Sequence, residues 1–256
     1  YLARDPRLGR EVAIKTMPLD QEFEGQTLQE VKQRFLREAE TAGRLSHPNI
    51  VRVHDVGEEQ DLAWLAMDYL PGTPMIRFAD PGSLLRADEV FEVMAQVADA
   101  LAVAHEQNVV HRDIKPDNII YDREQGTATV TDFGVACLVD QRNTRTGTIL
   151  GSPSYMSPEQ LAGKHLDGRS DLFPMGVTLY QLLTGELPFV GDSLSNLMYR
   201  IANERQREVR RLRDDLPTCA TTITNRCLEK DPERRYASAV QLAQALRRCR
   251  RKVGEG

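Results

Sequence analysis

Residues His111 to Asn118 read His-Arg-Asp-Ile-Lys-Pro-Asp-Asn. They put a carboxylate (Asp113), an ammonium (Lys115) and a carboxamide (Asn118) on one short segment. Fourteen residues beyond Asn118 stands Asp132-Phe133-Gly134. These groups are what transfer of a phosphoryl group to a hydroxyl requires. Asp113 can accept the hydroxyl proton, Asn118 and Asp132 can hold Mg2+ (or Mn2+) through oxygen, and Lys115 can neutralise charge on the moving phosphate. A lone Asp-Phe-Gly would be an ordinary turn; the order and spacing of the two motifs carry the reading.

Such a loop needs elements to hold it. Apolar Val109-Val110 and Ile119-Ile120 flank it and predict a strand pair. A short strand over Thr127 to Thr131 leads into Asp132. Upstream, Tyr1 to Ala3 and Glu11 to Thr16 read as two strands joined through Asp5-Pro6 and Gly9. Thr27-x-x-Glu30 is a capping-box signature, and Leu28, Val31, Phe35, Ala39 and Ala42 follow at helical spacing, with Glu38 near the edge of that apolar face. Ser46 to Asn49 breaks this helix, and Ile50 to Val56 and Leu62 to Met67 read as two further strands. Asp88 is placed to cap a core helix of Val90, Met94, Val97, Leu101 and Ala104, with His105 as a structural residue near its end. Ser157-x-x-Gln160, with Pro158 at the first position, opens a further helix, as does Ser170-Asp171, and Ser238-x-x-Gln241 caps the last. Five cations in the six residues Arg247 to Lys252 read as a solvated helix end or a segment beside a membrane.

At 256 residues, with 41% hydrophobic and 28% charged, the chain has the makeup of a soluble globular protein. A net charge of −5 speaks against a nucleic-acid binder. No apolar run reaches the roughly 20 residues of a membrane span. Cys137, Cys219, Cys227 and Cys249 lie far apart without a Cys-x-x-Cys pair, which favours reduced thiols in a cytoplasmic setting over a disulfide frame or a zinc site.

On the motifs His111 to Asn118, Asp132 to Gly134 and Val12-Ala13-Ile14-Lys15, the chain resembles eukaryotic-type serine/threonine protein kinases, bacterial ones most of all. The resemblance implies an α+β, two-lobed fold: a strand-rich lobe over 1–70 and a mainly helical lobe over 71–256, with ATP between them. It implies that Lys15 grips the α/β-phosphates and pairs with Glu38. Met67 would guard the rear of the adenine pocket, Asp68-Tyr69-Leu70 would form the hinge that binds adenine, and Ala13 and Ile120 would also line the nucleotide. Val135 to Pro158 resembles an activation segment. Thr144 and Thr146 in its polar middle are candidate phosphorylation sites for Arg112 to grip, and Ser152 faces substrate. Phe133, Glu159 with Arg235, and Asp171 as a brace of the catalytic loop are implied structural residues. Implied partners are proteins with Ser or Thr hydroxyls, and a second copy of the chain for autophosphorylation. The implied location is the cytoplasm, free or as part of a longer membrane-anchored protein.

One departure stands out. No Gly-x-Gly-x-x-Gly occurs in the sequence. The chain is expected to start inside the strand-rich lobe, with an open strand edge at residues 1–4 and weak Mg-ATP binding. The rival reading is a pseudokinase that binds without catalysing.

Overall fold

The computed structural model describes residues 1–18, 39–59, 62–133 and 153–253. Asp5 closes the first turn, its Oδ1 accepting the N–H groups of Arg7 (2.8 Å) and Leu8 (3.1 Å). That turn sets strand β1 (Leu2–Arg4) antiparallel to β2 (Glu11–Pro18). Strands β3 (Val53–Glu59) and β4 (Leu62–Asp68) complete a four-stranded sheet in the order β1-β2-β4-β3. Alternation along β4 sends Ala63, Leu65 and Met67 to one face, where they meet Ala39 and Val51 in a small core. Ala13, Val53, Val56 and Leu70 pack around it, half-buried. Strand β1 lies at the open edge, with Leu2 60% exposed.

The chain leaves this sheet at Pro71-Gly72. A Cβ on Gly72 would lie 2.8 Å from the carbonyl oxygen of Tyr121, so only glycine lets the backbone cross there. Strands β5 (Thr73–Pro74), β6 (Ile119–Asp122) and β7 (Thr127–Val130) form a second, three-stranded sheet in that order.

The larger core is helical. Helix α1 (Ala87–Glu106) buries Val90, Met94, Val97, Leu101 and Ala104 as their spacing predicts. It packs on β7 and on α3 (Leu172–Thr184), almost every residue of which is buried. A helix apolar on all sides is stable only inside such a core, each fully buried Leu or Phe contributing about 1.5–3 kcal/mol. Helices α2 (Pro158–Leu161), α4 (Leu194–Asn203), α5 (Thr218–Cys227) and α6 (Ala239–Arg250) surround it.

Ala42, Leu45 and Ile50 also belong to this larger core, although they precede β3. Asn49 fixes them there. Its Nδ2 donates to the carbonyl of Ala128 (2.7 Å) and to Gln96 Oε1 (3.0 Å), which also accepts the Ala128 N–H (2.9 Å).

Several sequence expectations need correction. Val109-Val110 forms no strand; Ile119–Asp122 pairs instead with Thr127–Val130, the partner that a tight turn at Gly126 supplies. Asp88 is not the cap of α1. Arg86 holds that position without capping the helix through its side chain, and Asp88 in the first turn pairs with the Arg86 guanidinium (3.0 Å). The cysteines are not all reduced: Cys219 and Cys249 are disulfide-bonded, their Cα atoms 5.7 Å apart where α5 meets α6. Cys227 is a free thiol, which burial pushes up to about 12. The cationic end of α6 is solvated as expected, all five of its cations being exposed. Two of them, Arg247 and Arg250, also reach back across the surface to Asp99 and Glu92 on α1.

Candidate active site

The loop before β6 is fixed from beneath by Asp171, which no solvent reaches. Its Oδ1 accepts the N–H of Arg112 (2.8 Å), and its Oδ2 accepts the N–H of His111 (2.9 Å) and meets His105 Nε2 (2.8 Å). From the other side, Gln160 Nε2 donates to the Arg112 carbonyl (3.0 Å). Held at both ends, the Arg112 backbone adopts φ 71°, rare for a residue with a side chain. Asp132 does likewise at φ 66°.

His111 ties the loop to the strand end before Asp132. Its Nε2 donates to the Thr131 carbonyl (2.8 Å), so Nδ1 is left to accept the Asp113 N–H (3.2 Å). The ring meets Phe133 edge-on, centroids 4.5 Å apart.

Asp113 Oδ2 then receives Lys115 Nζ (2.7 Å) and Asn118 Nδ2 (2.9 Å), and the same amide also donates to the Asp113 carbonyl (2.8 Å). A carboxylate held by two donors has one orientation, and its other oxygen remains for a substrate proton. Thr131 N–H donates to the Asn118 carbonyl (2.9 Å), which sets Asn118 beside Asp132. Across the cleft, Lys15 Nζ from β2 contacts Asp132 Oδ1 at 2.7 Å.

Both amide donations of Asn118 go to Asp113, so its Oδ1 is the atom left for a cation. Asp132 offers a carboxylate. Two hard oxygen donors fit Mg2+, which keeps most of its shell for water and phosphate. Met67 is buried on β4 opposite Ala13, and Asp68 ends that strand, followed by exposed Tyr69 and half-buried Leu70. Ile120, half-buried on β6, pairs with Pro74 and Thr129.

Beyond the loop, Glu159 and Arg235 form a buried two-pronged ion pair at 2.6 and 2.8 Å. Arg235 spends its remaining donors on the carbonyls of Glu229, Arg169 and Lys230. Glu38, Thr144, Thr146 and Ser152 lie outside the described residues.

The sequence matches the protein kinase domain family over residues 1–246. The chain belongs to that family. As a protein kinase domain it is 37% identical over 240 residues to the serine/threonine-protein kinase PrkC of Bacillus subtilis, covering 93% of this chain and 36% of PrkC. It is also 37% identical to the kinase Pkn1 of Myxococcus xanthus, over 96% of this chain and 35% of Pkn1. The chain thus spans little more than a third of these curated relatives. Among solved structures, the kinase domain of Mycobacterium tuberculosis PknI superposes with a TM-score of 0.76 at 30% identity, over 97% of this chain and 89% of that one. Rad53 residues 1–466, in complex with AMP-PNP, superposes with a TM-score of 0.77 at 24% identity, over 95% and 60%, and shares the two-lobed kinase fold.

Some supports were not read from the sequence. Ser157 caps α2 by accepting the Gln160 N–H (3.3 Å), but the Gln160 side chain also reaches the loop before β6, which a capping motif does not announce. His105 is structural as read, and its partner is Asp171.

Proposed function

We propose that this chain is the catalytic domain of a bacterial serine/threonine protein kinase, moving the γ-phosphoryl group of ATP to Ser or Thr hydroxyls of proteins. The observation that carries the reading is the Asp113 carboxylate, fixed by Lys115 and Asn118 and set beside the Asp132–Lys15 pair. In the reaction the bond from the γ-phosphorus to its bridging oxygen breaks, the substrate hydroxyl oxygen bonds to that phosphorus, and the hydroxyl proton passes to Asp113. Lys115 balances charge on the moving group. Lys15 holds the α/β-phosphates, with Glu38 as its partner. Asn118 and Asp132 hold Mg2+ (or Mn2+), which when bound supplies positive charge at the phosphates. Ala13, Met67, Asp68, Leu70 and Ile120 enclose the base, at the boundary between a lobe over 1–70 and one over 71–256. Lys115, two residues after Asp113, and Ser152 in the substrate-facing stretch mark the serine/threonine class.

Phosphate on Thr144 or Thr146, added by a second copy of the chain, orders the activation segment by pairing with Arg112. The domain works in the cytoplasm, either free or as the cytoplasmic part of a membrane-anchored protein; no described helix is long and apolar enough to cross a membrane.

The test is transfer of labelled γ-phosphate from Mg-ATP to a Ser/Thr-containing protein. Asp113→Asn and Asp132→Asn are expected to lower the rate by about 100- to 10,000-fold with the fold kept. Near-full activity in either variant would refute the assignment. Mass spectrometry should find phosphate on Thr144 or Thr146, and the double alanine variant should lose activity. An unmodified, fully active double variant removes the switch from the scheme.

A further inference from the structure

Strand β3 carries one residue more than its partner. Val53 faces Met67 and Asp55 faces Ala66, so His54 has no opposite number on β4. A bulge of this kind turns a side chain out of the regular alternation. Here it brings the imidazole to the end of β4, where His54 Nε2 meets Asp68 Oδ1 at 2.6 Å. The imidazole side chain is 8% exposed and the carboxylate 44%. The backbone of Asp68 is held as well, its N–H donating to the carbonyl of Arg52 (3.0 Å). Arg52, just before β3, and His54 within it therefore hold Asp68 twice, through its backbone N–H and its carboxylate. Met67, Asp68 and Leu70 form the wall assigned above to adenine.

We propose that His54 is a positioning residue for adenine binding: by holding the Asp68 carboxylate it fixes the backbone over 68–70 that reads the base. The inference rests on the assignment of that stretch to adenine. Its ligand class is any adenine nucleotide or nucleoside, and the effect belongs to the base end of the site. The phosphate groups, held by Lys15 and the metal residues, are outside its reach.

Calorimetric titration of the chain with adenosine and with Mg-ATP tests this. His54→Phe removes the donor and keeps a ring in the bulge. It is expected to weaken both ligands by the same factor, about fivefold, as loss of one ordering hydrogen bond does. His54→Gln, whose amide can still donate, should bind within about twofold of the parent. In an Asp68→Ala background, His54→Phe should add nothing, because the contact is already gone. A general loss of structure would instead lower the melting temperature and persist in that background. Should His54→Phe fail to fold, His54→Asn, too short to span the bulge, takes its place. Unchanged adenosine affinity in the donor-less variant, or a loss that survives Asp68→Ala, overturns the proposal alone. A parent chain that binds neither ligand overturns the adenine assignment, and this inference with it.

Discussion

Asp171 holds Arg112 in a left-handed backbone conformation: its Oδ1 accepts the Arg112 N–H at 2.8 Å while φ stands at 71°. The same carboxylate serves His111 and His105, so two N–H groups of the loop and one imidazole from α1 converge on one buried carboxylate. The strain at Arg112 is the cost of aiming Asp113, the next residue, towards Lys115 and Asn118.

Asp171→Asn should therefore damage catalysis before it damages the fold. An amide brings one acceptor where the loop needs two, leaving a buried N–H unmatched at about 1–3 kcal/mol. The expected loss is about 10- to 100-fold in kcat, with nucleotide affinity within about twofold. Steady-state kinetics check this, and an unchanged kcat would mean that Arg112 keeps its conformation without the brace.

Removing one side of the Glu159–Arg235 pair should be severe. Glu159→Ala strands a guanidinium that is wholly buried, at about 3–5 kcal/mol. Replacing both residues with methionine should cost clearly less, since no uncompensated charge remains. Urea unfolding of the three proteins decides it; a single variant within about 1 kcal/mol of the parent would contradict the buried pairing.

Lys230 gives a pH dependence with a definite sign. Its Nζ donates to the Ile201 carbonyl (2.6 Å) and lies 3.9 Å from the Phe189 ring centroid. Burial, and then the neighbouring Arg235, push the ammonium down to about 8 from its ordinary 10.5. Between those values the unfolded chain binds more protons than the folded one, so this group makes stability rise with pH across the window. Below pH 8 its penalty is present in full. The melting temperature of the parent relative to Lys230→Met should climb from pH 8 to 10 by the equivalent of about 1 kcal/mol, after discount for solvent screening. A flat difference would remove Lys230 from the account.

The Cys219–Cys249 bond closes a loop with a sequence separation of 30. Reduction should lower stability by about 2–4 kcal/mol, and Cys219→Ser should do the same without reductant. Denaturant midpoints with and without a thiol measure this. A midpoint indifferent to reductant would mean that α5 and α6 are held by packing alone.

Legibility followed sequence distance. The loop from His111 to Asn118 holds Asp113 through contacts between near neighbours, and its residue types alone raised the expectation of phosphoryl transfer. The Glu159–Arg235 pair, 76 residues apart, was expected only through family resemblance. Where neither locality nor resemblance helped, the reading failed. Cysteine spacing does not show that two helices cross at Cys219 and Cys249. The acidic partners of Arg247 and Arg250 lie about 150 residues upstream, on another helix. His54 had no signal at all, because a bulge is a property of two strands together and is invisible in either one.

The clamp at Asn49 ties the residues just before β3 to the helical core. Residues 42–50 are anchored through Gln96 and Ala128 to the helical core, while β1 to β4 rest on the small cluster of Ala63, Leu65 and Met67. A closing motion of the cleft would then rotate the four-stranded sheet against a stationary collar, with pivots at residue 51 and residue 70. Amide exchange should record it as two rigid bodies: slow, core-like protection over residues 42–50, and faster exchange that nucleotide suppresses over β1 to β4.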